Sequence, residues 1–146
     1  MIVYKNGNIL TSRADIICHQ VNCQGVMGAG LAKQIRNKHP KVYDHYIWHC
    51  KTFKPNLLGN IILDSINEKQ VIASLFAQDR YGRDKRYTDY DAFEKCLKTI
   101  ACFAKENEVI ALPYKIGCGL GGGDWDIILS LIEKELSSFT VEIWKY

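Results

Sequence analysis

Two glycine-rich segments of the sequence have the composition of phosphate-binding loops. The first, NCQGVMGAG, covers residues 22–30, and the second, KIGCGLGGGDW, covers residues 115–125 and holds five of the chain's eleven glycines. An apolar run precedes each segment, and residues with helical spacing follow it. Glycine lets backbone N–H groups approach a ligand closely, and a helix N-terminus adds unpaired N–H donors. Two such junctions predict a site that holds a diphosphate between the loops.

The two segments allow two other interpretations. Both loops could be tight turns in which glycine is merely tolerated. Residues 117–122 also match the GxGxxG pattern of dinucleotide-binding proteins, with an acidic residue, Glu142, about twenty positions further on. That pattern belongs to the first βαβ unit of its fold, with further units after it. Here a single helix and a single strand follow, so the pattern does not predict a dinucleotide site.

Sheet and helix patterns surround the two segments and would position them. The order of predicted elements is β-β-α-α-β-β-α-β-α-β, which indicates an α/β layered domain with a mixed sheet. In such sheets ligands bind beyond the carboxyl ends of the strands. Strands are predicted at residues 2–5, 15–21, 60–66, 71–77, 109–112 and 139–144, and helices at 30–38, 41–53, 89–106 and 124–136.

The composition is that of a single globular domain over residues 1–146, with 47% hydrophobic and 24% charged residues. The net charge of +3 is mild for a nucleic-acid binder. No export signal and no long apolar segment stand out, so a cytoplasmic protein with no membrane contact is expected. The six scattered cysteines, none in a CxxC pair, are predicted to be reduced and mostly buried.

Four separated motifs resemble those of a macrodomain. They are GNIL at 7–10, HQVN at 19–22, MGAGLA at 27–32 and IGCGLGGGDW at 116–125. The resemblance covers essentially the whole chain and is strongest to the branch with the ADP-ribose-1''-phosphate phosphatases and the terminal ADP-ribose protein glycohydrolase. It implies a three-layer α/β/α domain that binds ADP-ribose, with the diphosphate between the two glycine loops.

The same resemblance implies an enzyme that needs no cofactor and removes a group from the distal ribose. The substrate would be ADP-ribose-1''-phosphate, or an ADP-ribosylated protein or nucleic acid. The alternatives are a binding module without turnover and a nucleic-acid-associated de-ADP-ribosylase. A monomer is expected.

The resemblance also implies a set of ligand-binding residues. Asn8 stands where the family has an Asp that receives the adenine amino group. Trp144 or Tyr146 could form a wall beside the adenine, or else be a core or edge aromatic residue. The full set is Asn8, Ile9, Asn22, Met27, Gly28, Ala29, Gly30, Gln78, Ile116, Gly117, Cys118, Gly119, Leu120, Gly121 and Trp144.

The catalytic residues of the glycohydrolase are not matched. Gln78 stands in place of its Lys and Gly121 in place of its Asp, so a lysine-adduct mechanism does not carry over. The remaining candidates are His19 as general base or acid, because the pKa of histidine lies near neutral pH, together with Asn22, and Asp124 to orient water. The alternatives are a structural histidine for His19 and a helix N-cap for Asp124.

The segment from Arg80 to Tyr90 mixes four basic residues with tyrosines. It could be a nucleic-acid surface, a flap that covers the ligand and recognises the group on the distal ribose, or an exposed loop.

Two other candidate sites are rejected. A phosphocysteine mechanism at Cys118 needs Arg six positions later, where Asp124 stands, so Cys118 is expected to face inward. His45 and His49 have metal-binding spacing on a predicted helix, but no third ligand is evident, so no metal is predicted.

Overall fold

A six-stranded sheet forms the centre of the fold, with the strands in the order β1-β6-β5-β2-β4-β3. The computed structural model describes residues 1–82 and 84–146. The strands are β1 Ile2–Asn6, β2 Ile16–Asn22, β3 Ile61–Ser65, β4 Val71–Gln78, β5 Val109–Pro113 and β6 Thr140–Lys145. The helices are α1 Gly30–Lys38, α2 Pro40–Thr52, α3 Tyr90–Phe103 and α4 Trp125–Glu135, with a short 3-10 helix at Ile9–Thr11.

The predicted element order is confirmed. The exceptions are the short 3-10 helix, which was not predicted, and the end of α3, which comes three residues earlier than expected. Ala104 leaves the helical conformation, and the N–H of Lys105 binds the side chain of Glu108 instead of continuing the helix.

The sheet is mixed because β3 runs antiparallel to β4 while all other neighbours are parallel. Helices α3 and α4 cover one face, and α1 and α2 cover the other. This is the three-layer α/β/α arrangement that the sequence predicts. The carboxyl ends of β2, β4 and β5 lie side by side, so the loops that follow these strands meet at one edge.

The helix N-termini differ in how they are capped. Asp89 caps α3 by accepting a hydrogen bond from Ala92 N at 3.0 Å, and Asp124 caps α4 by accepting one from Asp126 N at 2.8 Å. The residue at the same position of α1 is Ala29, which has no side chain to cap the helix. The first turn of α1 therefore keeps N–H groups available for another acceptor.

All six cysteines are free thiols. Four are buried, Cys118 is half-buried and Cys102 is exposed. Among the described residues, no helix combines the length and the apolar character needed to cross a bilayer.

A buried tyrosine joins α2 to the end of β2. Tyr46 is fully buried, and its hydroxyl lies 2.6 Å from the carbonyl oxygen of Asn22 and 2.9 Å from Oδ1 of the same residue. Its ring stacks on Phe76 of β4 at 5.8 Å between centroids. The contact fixes the point where the chain leaves the sheet and enters the first glycine loop.

The variant Tyr46→Phe is expected to lose about 1–2 kcal/mol of unfolding free energy, because it leaves buried acceptors of Asn22 without their donor. Urea unfolding measures the loss. Tyr43→Phe is the matched control, since the Tyr43 hydroxyl has no hydrogen-bond partner among the described residues. Equal destabilisation by both variants would contradict the role given to the Tyr46 hydroxyl.

Candidate functional site

A cavity of about 490 Å³ lies at the carboxyl ends of β2, β4 and β5. Its volume is in the range of small-molecule and nucleotide sites. The predicted ligand residues that line it are Gly28, Ala29, Gly30, Gln78, Ile116, Gly117, Gly119, Leu120 and Gly121, and His19 joins them. Both glycine loops therefore meet at a single cavity, as the sequence predicts.

The first glycine loop presents the open end of α1 to this cavity. Gly30 begins the helix with φ of +56°, a conformation that residues with a Cβ rarely adopt. Among the described residues, the N–H groups from Gly28 to Ala32 meet no protein acceptor. These donors and the positive end of the helix dipole suit an anion.

Asn22 holds the shape of this loop. Its Oδ1 accepts from Gln24 N at 2.9 Å, and its Nδ2 donates to the carbonyl of Val26 at 2.8 Å. The side chain is buried, its polar atoms are engaged, and it does not line the cavity. The predicted catalytic role of Asn22 is thus replaced by a structural one.

The second glycine loop reaches the cavity through its own backbone and not through a helix end. The N–H groups of Gly117, Gly119, Leu120 and Gly121 have no acceptor in the part of the chain that the structure describes. The N-terminus of α4 is closed by the carboxylate of Asp124. The prediction of two equivalent helix-terminal sites is therefore wrong for this loop.

Asp124 does not line the cavity and is exposed. Its Oδ1 accepts from Asp126 N at 2.8 Å, and its own N–H donates to the hydroxyl of Tyr90. The structure places it as an N-cap, the alternative to its predicted role in orienting water.

A polar network joins the strand ends to the second loop. Nε2 of Gln20 donates to Oε1 of Gln78 at 2.7 Å and to the hydroxyl of Thr88 at 2.9 Å. Thr88 donates to the carbonyl of Gly117 at 2.7 Å, and Gln78 donates to the carbonyl of Arg80 at 2.8 Å. Both the oxygen and the nitrogen of the Gln78 amide therefore have protein partners, and the side chain forms part of the cavity wall.

The segment from Arg80 to Tyr90 is attached to the second loop. The N–H groups of Tyr87 and Thr88 both donate to the carbonyl of Gly121, at 2.7 and 2.9 Å. Tyr81 lines the cavity although 54% of it is exposed. These contacts fit a flap at the cavity mouth better than a detached loop. Arg83, one of its four basic residues, lies outside the described residues.

His19 is a buried member of the cavity wall. It is 2% exposed, its Nε2 lies 2.7 Å from Oγ of Ser74, and its Nδ1 is buried with no partner among the described residues. Burial lowers the pKa of His19 to about 4. The ring is therefore neutral at pH 7, which corrects the expectation of a pKa near neutrality and excludes a resting general acid.

Besides Asn22, five predicted ligand residues do not line the cavity. Ile9 and Met27 are buried in the core, and Cys118 packs inward, where burial raises the pKa of its thiol to about 11. Asn8 caps the 3-10 helix by accepting from Leu10 N, and it also donates to Gln34. Trp144 packs on a core cluster and donates to Glu142.

Several lining residues were not found from the sequence. They come from the strand ends, from α1 and from the flap: Gln20, Val26, Leu31, Ala32, Tyr81, Pro113, Tyr114 and Lys115. Five of them lie inside the quoted motifs and segments: Gln20 in HQVN, Val26 in the first glycine segment, Leu31 and Ala32 in MGAGLA, and Lys115 at the start of the second glycine segment. Tyr114 directly precedes that segment. Their place in or beside the motifs is the signal that could have identified these six.

The histidine pair on α2 is occupied by other contacts. Nδ1 of His45 lies 2.6 Å from a carboxylate oxygen of Asp64, and Nδ1 of His49 lies 3.0 Å from the carbonyl of His45. Within residues 1–82 and 84–146, no group of three metal-ligating side chains comes together.

Comparison with known proteins identifies the family. The model of the Macro domain matches residues 18–132. The chain belongs to the Macro domain family. The predicted resemblance is confirmed, and this macrodomain has the fold expected of it.

Two relatives and one solved structure illustrate the similarity. The macrodomain is 28% identical over 151 residues to the DNA ADP-ribosyl glycohydrolase of Thermus aquaticus, covering 100% of this chain and 41% of that protein. It is 34% identical over 97 residues to the ADP-ribose 1''-phosphate phosphatase of Candida glabrata, covering 61% of this chain and 54% of that protein. Thermosipho africanus DarTG in complex with ADP-ribose matches with a TM-score of 0.79 and 25% identity, over 96% of this chain and 40% of that chain.

Replacing Gly121 by Ala is expected to destabilise the macrodomain by about 1–3 kcal/mol, because the new methyl group overlaps packed atoms. A Cβ there would lie 2.7 Å from the carbonyl oxygen of Gly117 and even closer to the Thr88 hydroxyl. Gly119→Ala is the control, since no atom lies within 4 Å of its added Cβ. Thermal unfolding distinguishes them, and equal melting temperatures would refute the packing assignment.

The buried His19 predicts an acid-sensitive stability. The unfolded chain, with a histidine pKa near 6.5, takes up a proton before the folded chain does, since burial lowers the folded pKa to about 4. The stabilisation is complete above pH 6.5 and falls by about 3 kcal/mol as the pH drops to 4.

Urea unfolding at about pH 7 and about pH 4.5 measures this loss. His19→Gln is expected to show a smaller loss between the two pH values than the unaltered protein. His39→Gln is the control. Burial lowers the pKa of His39 as well, but this residue is only half-buried, so its variant should lose less of the pH dependence than His19→Gln does. An unchanged pH dependence in His19→Gln would contradict a neutral buried ring.

Proposed function

We propose that this macrodomain binds ADP-ribose in the cavity and hydrolyses a bond to its distal ribose. The observation that carries the proposal is the meeting of two loops with unpaired N–H groups at one cavity, with His19 in its wall. The relatives support the substrate class, since one is named a DNA ADP-ribosyl glycohydrolase and another an ADP-ribose 1''-phosphate phosphatase. The activity comes to this chain as a proposal because it spans about half or less of those two proteins.

The diphosphate is proposed to bind between the first turn of α1 and the second glycine loop. Both provide N–H donors that meet no acceptor within residues 1–82 and 84–146, and such donors suit phosphate oxygens. Leu31 and Tyr114 add apolar surface to the same cavity. This surface suits the less polar parts of a nucleotide, and it takes the place of the predicted wall at Trp144.

The reaction adds water across the bond between the distal ribose and its substituent. The water oxygen goes to the attacked atom, and a water proton goes to the leaving atom. Nδ1 of His19 has no partner among the described residues, and the ring is neutral, so we propose that this buried nitrogen accepts a hydrogen bond or a proton from that water once the substrate is bound. Since a pKa of about 4 makes a weak base, positioning and the N–H groups of the loops carry most of the rate.

A reader that binds ADP-ribose without turnover is the second candidate. The observation that favours it is Gln78, which stands where the glycohydrolase has Lys and whose amide is engaged by Gln20 and the Arg80 carbonyl. Gly121 likewise offers no carboxylate. A lysine adduct at position 78 is thus unavailable, whichever candidate holds.

Calorimetric titration with ADP-ribose, with NAD and AMP alongside, tests the binding. We expect ADP-ribose to bind more tightly than either, and Gly119→Ala to weaken it about tenfold or more by blocking approach to the loop while stability is unchanged. Absence of ADP-ribose binding would overturn the proposal.

Turnover assays at high enzyme concentration separate the two candidates. Phosphate release from ADP-ribose-1''-phosphate and ADP-ribose release from modified protein or oligonucleotide are both measured. A hydrolase is expected to lose about 100-fold in kcat in His19→Gln with KM little changed. Binding without release of either product would establish the reader.

We also propose a monomer in the cytoplasm. Light scattering during size-exclusion chromatography tests the first property, and cell fractionation tests the second.

A further inference from the structure

One layer of the fold has a net positive charge because it is poor in acidic residues. Asp44 is the only acidic residue between positions 16 and 63, a stretch with six of the chain's 19 lysine and arginine residues. The whole-chain charge of +3 conceals this asymmetry. The six are Lys33, Arg36, Lys38, Lys41, Lys51 and Lys54, and all are exposed. Among the described residues, none of them forms an ion pair with a carboxylate.

Two exposed aromatic rings lie at the end of α2 on this layer. Trp48 is 52% exposed and Phe53 is 46% exposed. Their ring centroids lie 5.4 Å apart at 83°, and His49 contacts both rings, at 5.2 and 5.4 Å. The contacts hold large apolar faces at the surface in fixed orientations, which a mobile exposed side chain would not provide.

Lysines lie beside the aromatic pair, and they also line a second cavity of about 360 Å³. Lys51 follows Trp48 by one helical turn, and Lys54 follows Phe53 directly. Both lysines line the cavity, and Nζ of Lys54 lies 3.0 Å from Oε1 of Gln24. We call Trp48, Lys51, Phe53, Lys54 and this cavity the α2 surface.

We propose that the α2 surface binds a single strand of nucleic acid. Base faces would stack on Trp48 and Phe53, and phosphates would meet Lys51 and Lys54. Single strands combine exposed flat π faces with regularly spaced negative charges, which is the complement of this surface. A duplex hides its base faces, and a lipid surface has no flat rings to stack.

Three acidic residues lie beside this surface. Asp44 lies one turn before Trp48, and Asp64 is paired with His45 at 2.6 Å. Asp79 is separated from Lys54 by one side chain, because Gln24 accepts from Nζ of Lys54 at 3.0 Å and donates to Oδ1 of Asp79 at 3.3 Å. None of the three carboxylates forms an ion pair with Lys51 or Lys54, so both ammonium groups remain available to a phosphate.

The first glycine loop is shared between the α2 surface and the main cavity. Gln24 and Gly25 line the second cavity, whereas Val26, Gly28 and Ala29 line the main one. A strand bound on α2 would therefore lie beside the proposed ADP-ribose site. The binding itself does not depend on the proposed function, because unmodified nucleic acid has all the groups it uses.

Fluorescence anisotropy with a labelled, unmodified oligothymidine of about ten nucleotides tests the proposal. We expect binding that weakens as salt rises from about 50 to 200 mM. Trp48→Ala should weaken binding about tenfold or more. The pair Lys51→Glu and Lys54→Glu should lower the slope of log K against log salt concentration by about 1.4.

Matched changes elsewhere on the surface are the controls. Phe103→Ala removes an aromatic ring that is 51% exposed on α3, and Lys5→Glu with Lys105→Glu makes the same charge change as the lysine pair. These should retain binding, and thermal melts verify that every variant is folded. Saturating ADP-ribose should also leave strand binding unchanged.

Three outcomes overturn the proposal. The first is no binding at the lowest salt concentration, including the case in which anionic vesicles bind instead. The second is equal loss of binding in the control variants. The third is displacement of the strand by ADP-ribose, which would place the strand in the main cavity. ADP-ribose titration in the same experiments reports the proposed function separately.

Discussion

The hydrogen bonds of one asparagine determine the site. Asn22 ends β2, and its amide and carbonyl bind Gln24, Val26 and Tyr46. These contacts satisfy the polar groups where the chain leaves a buried strand, and so hold the following glycines away from the sheet. The first turn of α1 can then remain without a protein acceptor. The site can offer free N–H groups to a ligand because such a neighbour fixes the course of the loop that carries them.

The second glycine loop is fixed by contacts from the segment that follows β4. The hydroxyl of Thr88 donates to the carbonyl of Gly117 and accepts from Gln20. Backbone N–H groups of the same segment donate to the carbonyl of Gly121. The loop's own N–H groups stay available since these contacts use its carbonyl oxygens. The flap and the loop therefore share one hydrogen-bond network, and a movement of the flap would change the shape of the cavity.

Much of the fold could be predicted from the sequence, because the apolar pattern of the strands and helices is strong. The cavity-lining glycines could be predicted too, since few other residues permit a positive φ or a close approach of backbone. The polarity of Asp124 and Asn22 fits catalysis and so predicts a position at the ligand, but the same polarity caps a helix and closes a loop. The sequence does not show which hydrogen-bond partner a polar side chain has in the folded protein. The neutral state of His19 could not be predicted from the sequence either, since it follows from burial and not from residue type.

Most thiols of the macrodomain are protected from reaction by their burial. Burial raises the pKa of Cys23 and Cys96 to about 12, and Cys18 lies still deeper, so these sulfurs stay protonated and out of contact with reagents at neutral pH. Cys102, exposed on α3, is the sulfur that an electrophile meets first. The fold thus carries its own attachment point for a spectroscopic label, on the side of the sheet opposite α1 and α2.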